Sequence, residues 1–160
     1  MMGVTEIDQA VKRLVESGLA PRDFMCGCSE EEVNELEEFF GIQLPEAYRY
    51  FLERLGKSAG TFLIGTDFLF ATLKQLRSEA EDLLETDNAP FRLSSRHFVF
   101  AVHQGYQFLF FDALAGDDPP VLHYLEGESE PKEVFPCFSR WLSNAVDDEI
   151  KAQEALEKGE

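Results

Sequence analysis

Residues 97–112, HFVFAVHQGYQFLFFD, constrain the fold more than any other stretch of the chain. Two strand-like runs flank a Gln104-Gly105 turn, the pattern of a β-hairpin. Strict alternation predicts Phe98, Phe100 and Val102 on one face of the first run, with Val99 and Ala101 on the other. In the second run Phe108 and Phe110 oppose Leu109 and Phe111. Both faces are apolar, so the hairpin belongs at the centre of its sheet. The chain holds 15 Phe, 4 Tyr and 1 Trp, a content that favours a sheet packed on helices over a plain leucine bundle.

Short turn-rich segments separate the hairpin from two further strands. After AGDDPP (115–120) comes VLHYL (121–125), and after EGESEP (126–131) comes KEVF (132–135). Strands joined by such short loops pair antiparallel. Upstream, TFLIG (61–65) reads as a short strand that DFLF (67–70) extends. The remaining segments carry helical periodicity. Thr5 and Asp8 form a capping box ahead of Ile7, Val11, Leu14 and Val15, and Gly18 ends that helix. Ser29 and Glu32 form another, followed by Val33, Leu36 and Phe40. Gly41 then takes the left-handed position past the helix end. Pro45 is predicted at the first position of the next helix, with Leu44 before it buried as a wedge. Tyr48, Phe51, Leu52 and Leu55 line its inner face, and Gly56 closes it. Thr72 and Gln75 are expected to open a helix running to about residue 85. Pro136 and Ser139 are expected to open the last one, with Trp141, Leu142, Ala145, Val146 and Ile150 facing in. Residues 151–160 are expected to fray. The expected fold is one α+β domain over residues 1–160: N-terminal helices on a mainly antiparallel sheet, with a closing C-terminal helix. Its core spans about residues 28–146, preceded by an extra helix over residues 1–20.

A chain of 160 residues suits a single domain that builds a core without staples. The formal net charge of −17 is spread along it. Residues 1–90 carry 8 basic and 18 acidic side chains, and residues 91–160 carry 6 and 13. Direct nucleic-acid binding and attachment to anionic membranes are therefore not expected. The charge favours solubility, or an acidic face steering toward a basic partner. Three cysteines, Cys26, Cys28 and Cys137, make no disulfide framework. With no apolar run of signal-peptide or membrane-spanning length, a reduced, cytoplasmic setting is expected.

Catalytic motifs are absent from the sequence. It has no GxxxxGK[ST], no GxGxxG and no GxSxG. Cys26-Gly27-Cys28 lacks the second pair that a zinc site needs. His97 and His103 share a strand face but stand roughly 20 Å apart. His103 and His123 could approach each other if their strands pair. Asp117, Asp118, Glu126, Glu128 and Glu130 crowd two loops next to the sheet strands. They read as solvated turns or as an acidic rim for a cationic protein. No carboxyl is singled out for acid–base work.

The stretch EEVNELEEFFGIQLPEAYRYFLERLG resembles the signature opening of the SUKH superfamily, the cell-wall regulator and bacterial immunity-protein group. The matching positions are Leu36, Glu37, Gly41, Leu44, Pro45, Tyr48, Phe51 and Leu52. The hairpin with Gly105 and Asp112, the strand entered through Pro120 and Val121, and FSRWL (138–142) with Trp141 are similar to later parts of the family pattern. The chain departs from that pattern at Leu55-Gly56 and at Ser139 and Trp141. The resemblance implies an α+β domain with no enzymatic activity; no cofactor or metal is expected. It implies a protein-binding role, foremost as an immunity protein that occludes a cognate toxin domain such as a nuclease. A regulatory or scaffold role on the same fold is the alternative, and a hydrolytic enzyme comes third. Candidate contact residues are Tyr106, as an aromatic anchor at the hairpin tip, with Asp112, Asp117, Asp118, Glu126, Glu128 and Glu130.

Overall fold

The hairpin forms the middle of a five-stranded antiparallel sheet in the computed structural model, which describes residues 2–159. Its strands are β4 (His97–His103) and β5 (Gln107–Asp112). Beside them lie β3 (Thr66–Asp67), β6 (Val121–Leu125) and β7 (Lys132–Phe135), in the spatial order β3-β4-β5-β6-β7. The described residues also form five α-helices: α1 (Met2–Ser17), α2 (Glu30–Phe40), α3 (Glu46–Leu55), α4 (Phe70–Thr86) and α5 (Phe138–Glu157). α4 packs against β3 and β4 from one side, while α3 and α5 meet on the other with α1 laid across them. The fold is thus α+β, as the strand and helix patterns predict. A second, two-stranded sheet pairs β1 (Met25–Cys26) with β2 (Ser58–Ala59). Runs of two residues are too short to announce themselves by periodicity, and these had no counterpart in the sequence pattern.

The strict alternation expected of the hairpin fails at one residue. Val99 pairs with Phe110, but Ala101 pairs with Leu109, leaving Phe100 as the extra residue of a β-bulge. Directly paired residues share a face, so Ala101 joins Phe98 and Leu109 while Val102 crosses to the side of Phe108. Phe100 still points to α3 and α5, with its ring edge against Phe138 and Trp141 at centroid distances of 5.3 and 4.9 Å. Tyr48 of α3 touches Phe98, Phe111 and Phe138 in the same cluster. Tyr48 is fully buried, and its hydroxyl has no hydrogen-bond partner among the described residues. Tyr48→Phe should therefore raise stability by about 1–2 kcal/mol, an increase of a few degrees in Tm. A fall in Tm would mean that the hydroxyl is already hydrogen-bonded.

The helix pair α2–α3 is held by its signature residues. Ser29 Oγ accepts the Glu32 N–H, and the Glu32 carboxylate accepts the Ser29 N–H, closing the expected capping box. Gly41 is left-handed at φ 67°, a conformation open to glycine at little cost. Glu37 closes the turn. Its carboxylate accepts the Leu44 N–H at 2.7 Å and the Arg49 guanidinium at 2.6 Å. Leu44, buried as expected, lies two residues ahead of α3, and Pro45 stands just outside the helix instead of at its first position.

Three other helix starts differ from expectation. α1 already begins at Met2, so Thr5 lies within it, and Asp8 bonds Tyr50 and Arg54 of α3 instead of capping. α4 begins at Phe70, and the Thr72 hydroxyl donates back to the Leu69 carbonyl. Residues 61–65 form turns instead of a strand, because Gly60, Leu63 and Gly65 all have positive φ. α5 has no capping side chain at Cys137; the Asp118 carboxylate accepts the Ser139 N–H at 2.9 Å instead. α5 stays helical through Glu157, and the last residue of the expected frayed tail, Glu160, lies outside the described residues.

Candidate functional site

An antiparallel meander sends successive loops to opposite ends of the sheet, and this divides the candidate contact residues into two groups. Tyr106 in the β4–β5 turn and Glu126, Glu128 and Glu130 in the β6–β7 loop share one end. Asp112, the last residue of β5, and Asp117 and Asp118, in the loop after it, lie at the other. A six-residue β5 separates the ends by roughly 20 Å.

At the aspartate end, two of the three carboxylates are engaged internally. Asp112 forms a two-point ion pair with Arg96 at 3.1 and 2.6 Å and accepts the Leu114 N–H at 2.9 Å. Its carboxyl is held below the usual aspartate range even though burial opposes this, because Arg96 and the Leu114 N–H favour the anion. Asp118 receives both the N–H and the hydroxyl of the fully buried Ser139, the latter at 2.6 Å. Asp117 is exposed, and its carbonyl accepts the Ala47 N–H at 2.9 Å. A groove of about 610 Å³ opens here between the start of α3 and the loop after β5, lined by Glu46, Arg49, Tyr50, Leu114 and Asp117 among others.

At the glutamate end the backbone is braced and the side chains are presented. Glu126 donates its N–H to the Tyr106 carbonyl at 2.9 Å, which ties the two loops together. Tyr106 is 36% exposed, with its ring edge against His103 at 5.5 Å. Glu126 and Glu130 are exposed, whereas Glu128 lies 3.5 Å from Lys132. The Asp87 carboxylate at the end of α4 anchors this loop by accepting the Tyr124 hydroxyl and, at 2.8 Å, the Gly127 N–H. The first of these bonds, aided by the second, holds the Asp87 carboxyl below its ordinary value. Burial and then the Asp87 carboxylate push the Tyr124 hydroxyl up to about 12. A depressed native carboxyl stabilises the fold fully above its unfolded value near pH 4, and this contribution is lost as pH falls through the native value. Asp87→Asn should therefore flatten the acid limb of the stability curve below about pH 4. An acid limb identical to that of the parent protein, measured by urea unfolding, would contradict this.

The same end holds a feature that sequence patterns missed. A cavity of about 210 Å³ lies between α5 and the sheet, with Leu63, Ala101, Leu109, Trp141 and Ala145 among its apolar walls. His103, Gln107 and His123 also line it. Thr66 Oγ1 meets His103 Nδ1 at 2.8 Å, and His123 Nε2 meets Gln107 Oε1 at 2.7 Å. β4 and β6 do not pair, since β5 runs between them; the two histidines share a face with Gln107 of that strand. Burial lowers the pKa of His123 and of His97, favouring neutral rings. His97 sits apart, packed against Phe91 and Phe110. Cys28 is buried, and burial, reinforced by Glu32, pushes its thiol up to about 12, so it makes a poor nucleophile. Among the described residues, no three His, Cys, Asp or Glu side chains are grouped to hold a metal ion, and no helix is long and apolar enough to cross a membrane.

In a comparison with protein families, the model described as SMI1 / KNR4 family (SUKH-1) matches residues 27–144. That span runs from the glycine before α2 into α5 and takes in both ends of the sheet. No curated protein matches the chain.

Proposed function

The chain belongs to the SMI1/KNR4 family (SUKH-1), and from that premise we propose that it is a non-enzymatic protein-binding module, an immunity protein that occludes a cognate basic toxin domain. The observation that carries this reading is the glutamate end of the sheet. There an exposed aromatic ring stands beside exposed carboxylates on a chain of net charge −17. Such a surface attracts a cationic protein, speeds its encounter and repels the phosphates that compete for the same partner. A toxin that acts on nucleic acid carries a basic groove, so covering that groove excludes its substrate. Burial at a docked interface needs no proton transfer and no nucleophile. Asp112 and Asp118 are bonded within the fold, which supports a scaffold role for them, and we take Tyr106, Glu126 and Glu130 at the other end as the principal contacts. The test is co-expression with toxic nuclease domains encoded in the same genome. The expected result is survival of the cells and co-purification of the two chains. Growth arrest in every pairing, with no complex recovered, would defeat the reading.

A further inference from the structure

We propose that the cavity between α5 and the glutamate end of the sheet seats one aromatic or large aliphatic side chain of the protein partner, presented among basic residues. This rests on the protein-binding reading above and specifies its anchor. The cavity exists because small residues stand where large ones would fill it. The Phe100 bulge turns Ala101 toward α5, and Ala145 lies on the facing helix. At about 210 Å³ the space suits a single side chain, with Trp141 and Leu109 offering an apolar floor. The polar lining is fixed beforehand. The Thr66–His103 and Gln107–His123 hydrogen bonds hold both imidazoles in place, leaving His103 Nε2 and the Gln107 amide N–H groups for a polar tip such as a phenol.

The mouth favours a protein over a free small molecule. Leu63, a wall residue, is held in the left-handed region at φ 52°, an unfavourable conformation for so bulky a side chain. The Glu149 carboxylate of α5 fixes it there by accepting its N–H at 2.7 Å. The next residue, Ile64, is 80% exposed, and Tyr106 stands against His103. A ligand small enough for the cavity would leave the Ile64 side chain and the Tyr106 ring in water, whereas a docked protein surface covers them. The exposed Glu126 and Glu130 in the adjoining loop then select basic neighbours for the anchor.

A random-peptide library displayed against the intact chain tests this directly. Enriched peptides should carry one aromatic or large aliphatic residue flanked by Lys or Arg. Their affinity should fall about thirtyfold on Ala145→Phe, which fills the cavity. Ile64→Asp, at a site too exposed to disturb folding, should weaken them as well. In parallel, p-cresol should shift the NMR signal of the Trp141 indole N–H saturably, and Ala145→Phe should abolish the shift; Trp141 is the only tryptophan, so the signal is unambiguous. Peptides that lack an anchor residue, or that bind Ala145→Phe and Ile64→Asp as well as the parent, would overturn the proposal. So would the failure of any peptide to be enriched. Binding of p-cresol without peptide enrichment would reassign the cavity to a free small aromatic ligand. A toxin domain bound equally well by the parent and by Ala145→Phe would remove the anchor while leaving the protein-binding reading intact.

Discussion

Phe138→Ala should lower stability by about 3–5 kcal/mol, the usual cost of deleting a fully buried aromatic side chain. For a domain of this size that corresponds to a loss of roughly 10 °C in Tm. The reason lies in its position. Phe138 is fully buried at the first turn of α5 and meets five other rings. Tyr48 and Phe51 come from α3, at 5.3 and 5.4 Å, Phe100 and Phe111 from the sheet, at 5.3 and 6.2 Å, and Trp141 from α5 itself, at 5.5 Å. Most of these contacts are edge-to-face, so each adds a specific term to the burial of area. No neighbour can collapse into the gap without giving up its own partners, which places the cost at the upper end of the range. Phe39→Ala is the matching control. Phe39 is 57% exposed and should cost less than about 1 kcal/mol despite its contacts with Phe40 and Lys74. Equal losses at the two sites in chemical unfolding would show that the aromatic cluster does not organise the core.

Reversing charge at the glutamate end should slow partner association at low salt, by roughly tenfold or more for the double variant Glu126→Lys with Glu130→Lys. Both side chains are exposed, so neither change should disturb the fold. The deficit should shrink as ionic strength rises, because steering acts over a Debye length of about 10 Å at 0.1 M salt. Dissociation should change less than association. Asp118→Asn should behave in the opposite way. Its carboxylate receives the N–H and hydroxyl of buried Ser139 at the start of α5, so its loss should reduce stability and leave the association rate unaltered. Stopped-flow association of the purified variants with the partner domain separates the two effects. A double variant that associates at the parental rate at low salt would take the glutamate end out of the encounter.

Local chemistry made the α2–α3 unit readable from sequence. A capping box, a left-handed glycine and a helical stripe each depend on residues within a few positions of one another. Glu37 was visible as a signature position, yet its bonds to Leu44 and Arg49 depend on which way its side chain turns at the helix end. The β-bulge at Phe100 could not be read at all. A run of apolar residues on both strands offers no polar marker of register, so alternation put Val102 on the wrong face. TFLIG looked like a strand by composition, but its backbone is set by Gly60 and Gly65 and by the distant Glu149. The division of the acidic residues between two ends follows from antiparallel connectivity alone and was open to inference. The cavity was not, because it depends on the bulge and on how α5 lies across the sheet.

The most direct measurement is a titration of a fixed amount of the cognate toxin domain with the purified chain, following residual toxin activity after mixing. A protein that acts by covering its partner should remove activity linearly with added chain, ending at one equivalent, and toxin activity should return when the complex is separated under denaturing conditions and the toxin refolded. Complete and lasting inactivation by a small fraction of an equivalent would mean that the chain turns over a substrate, and would contradict the account.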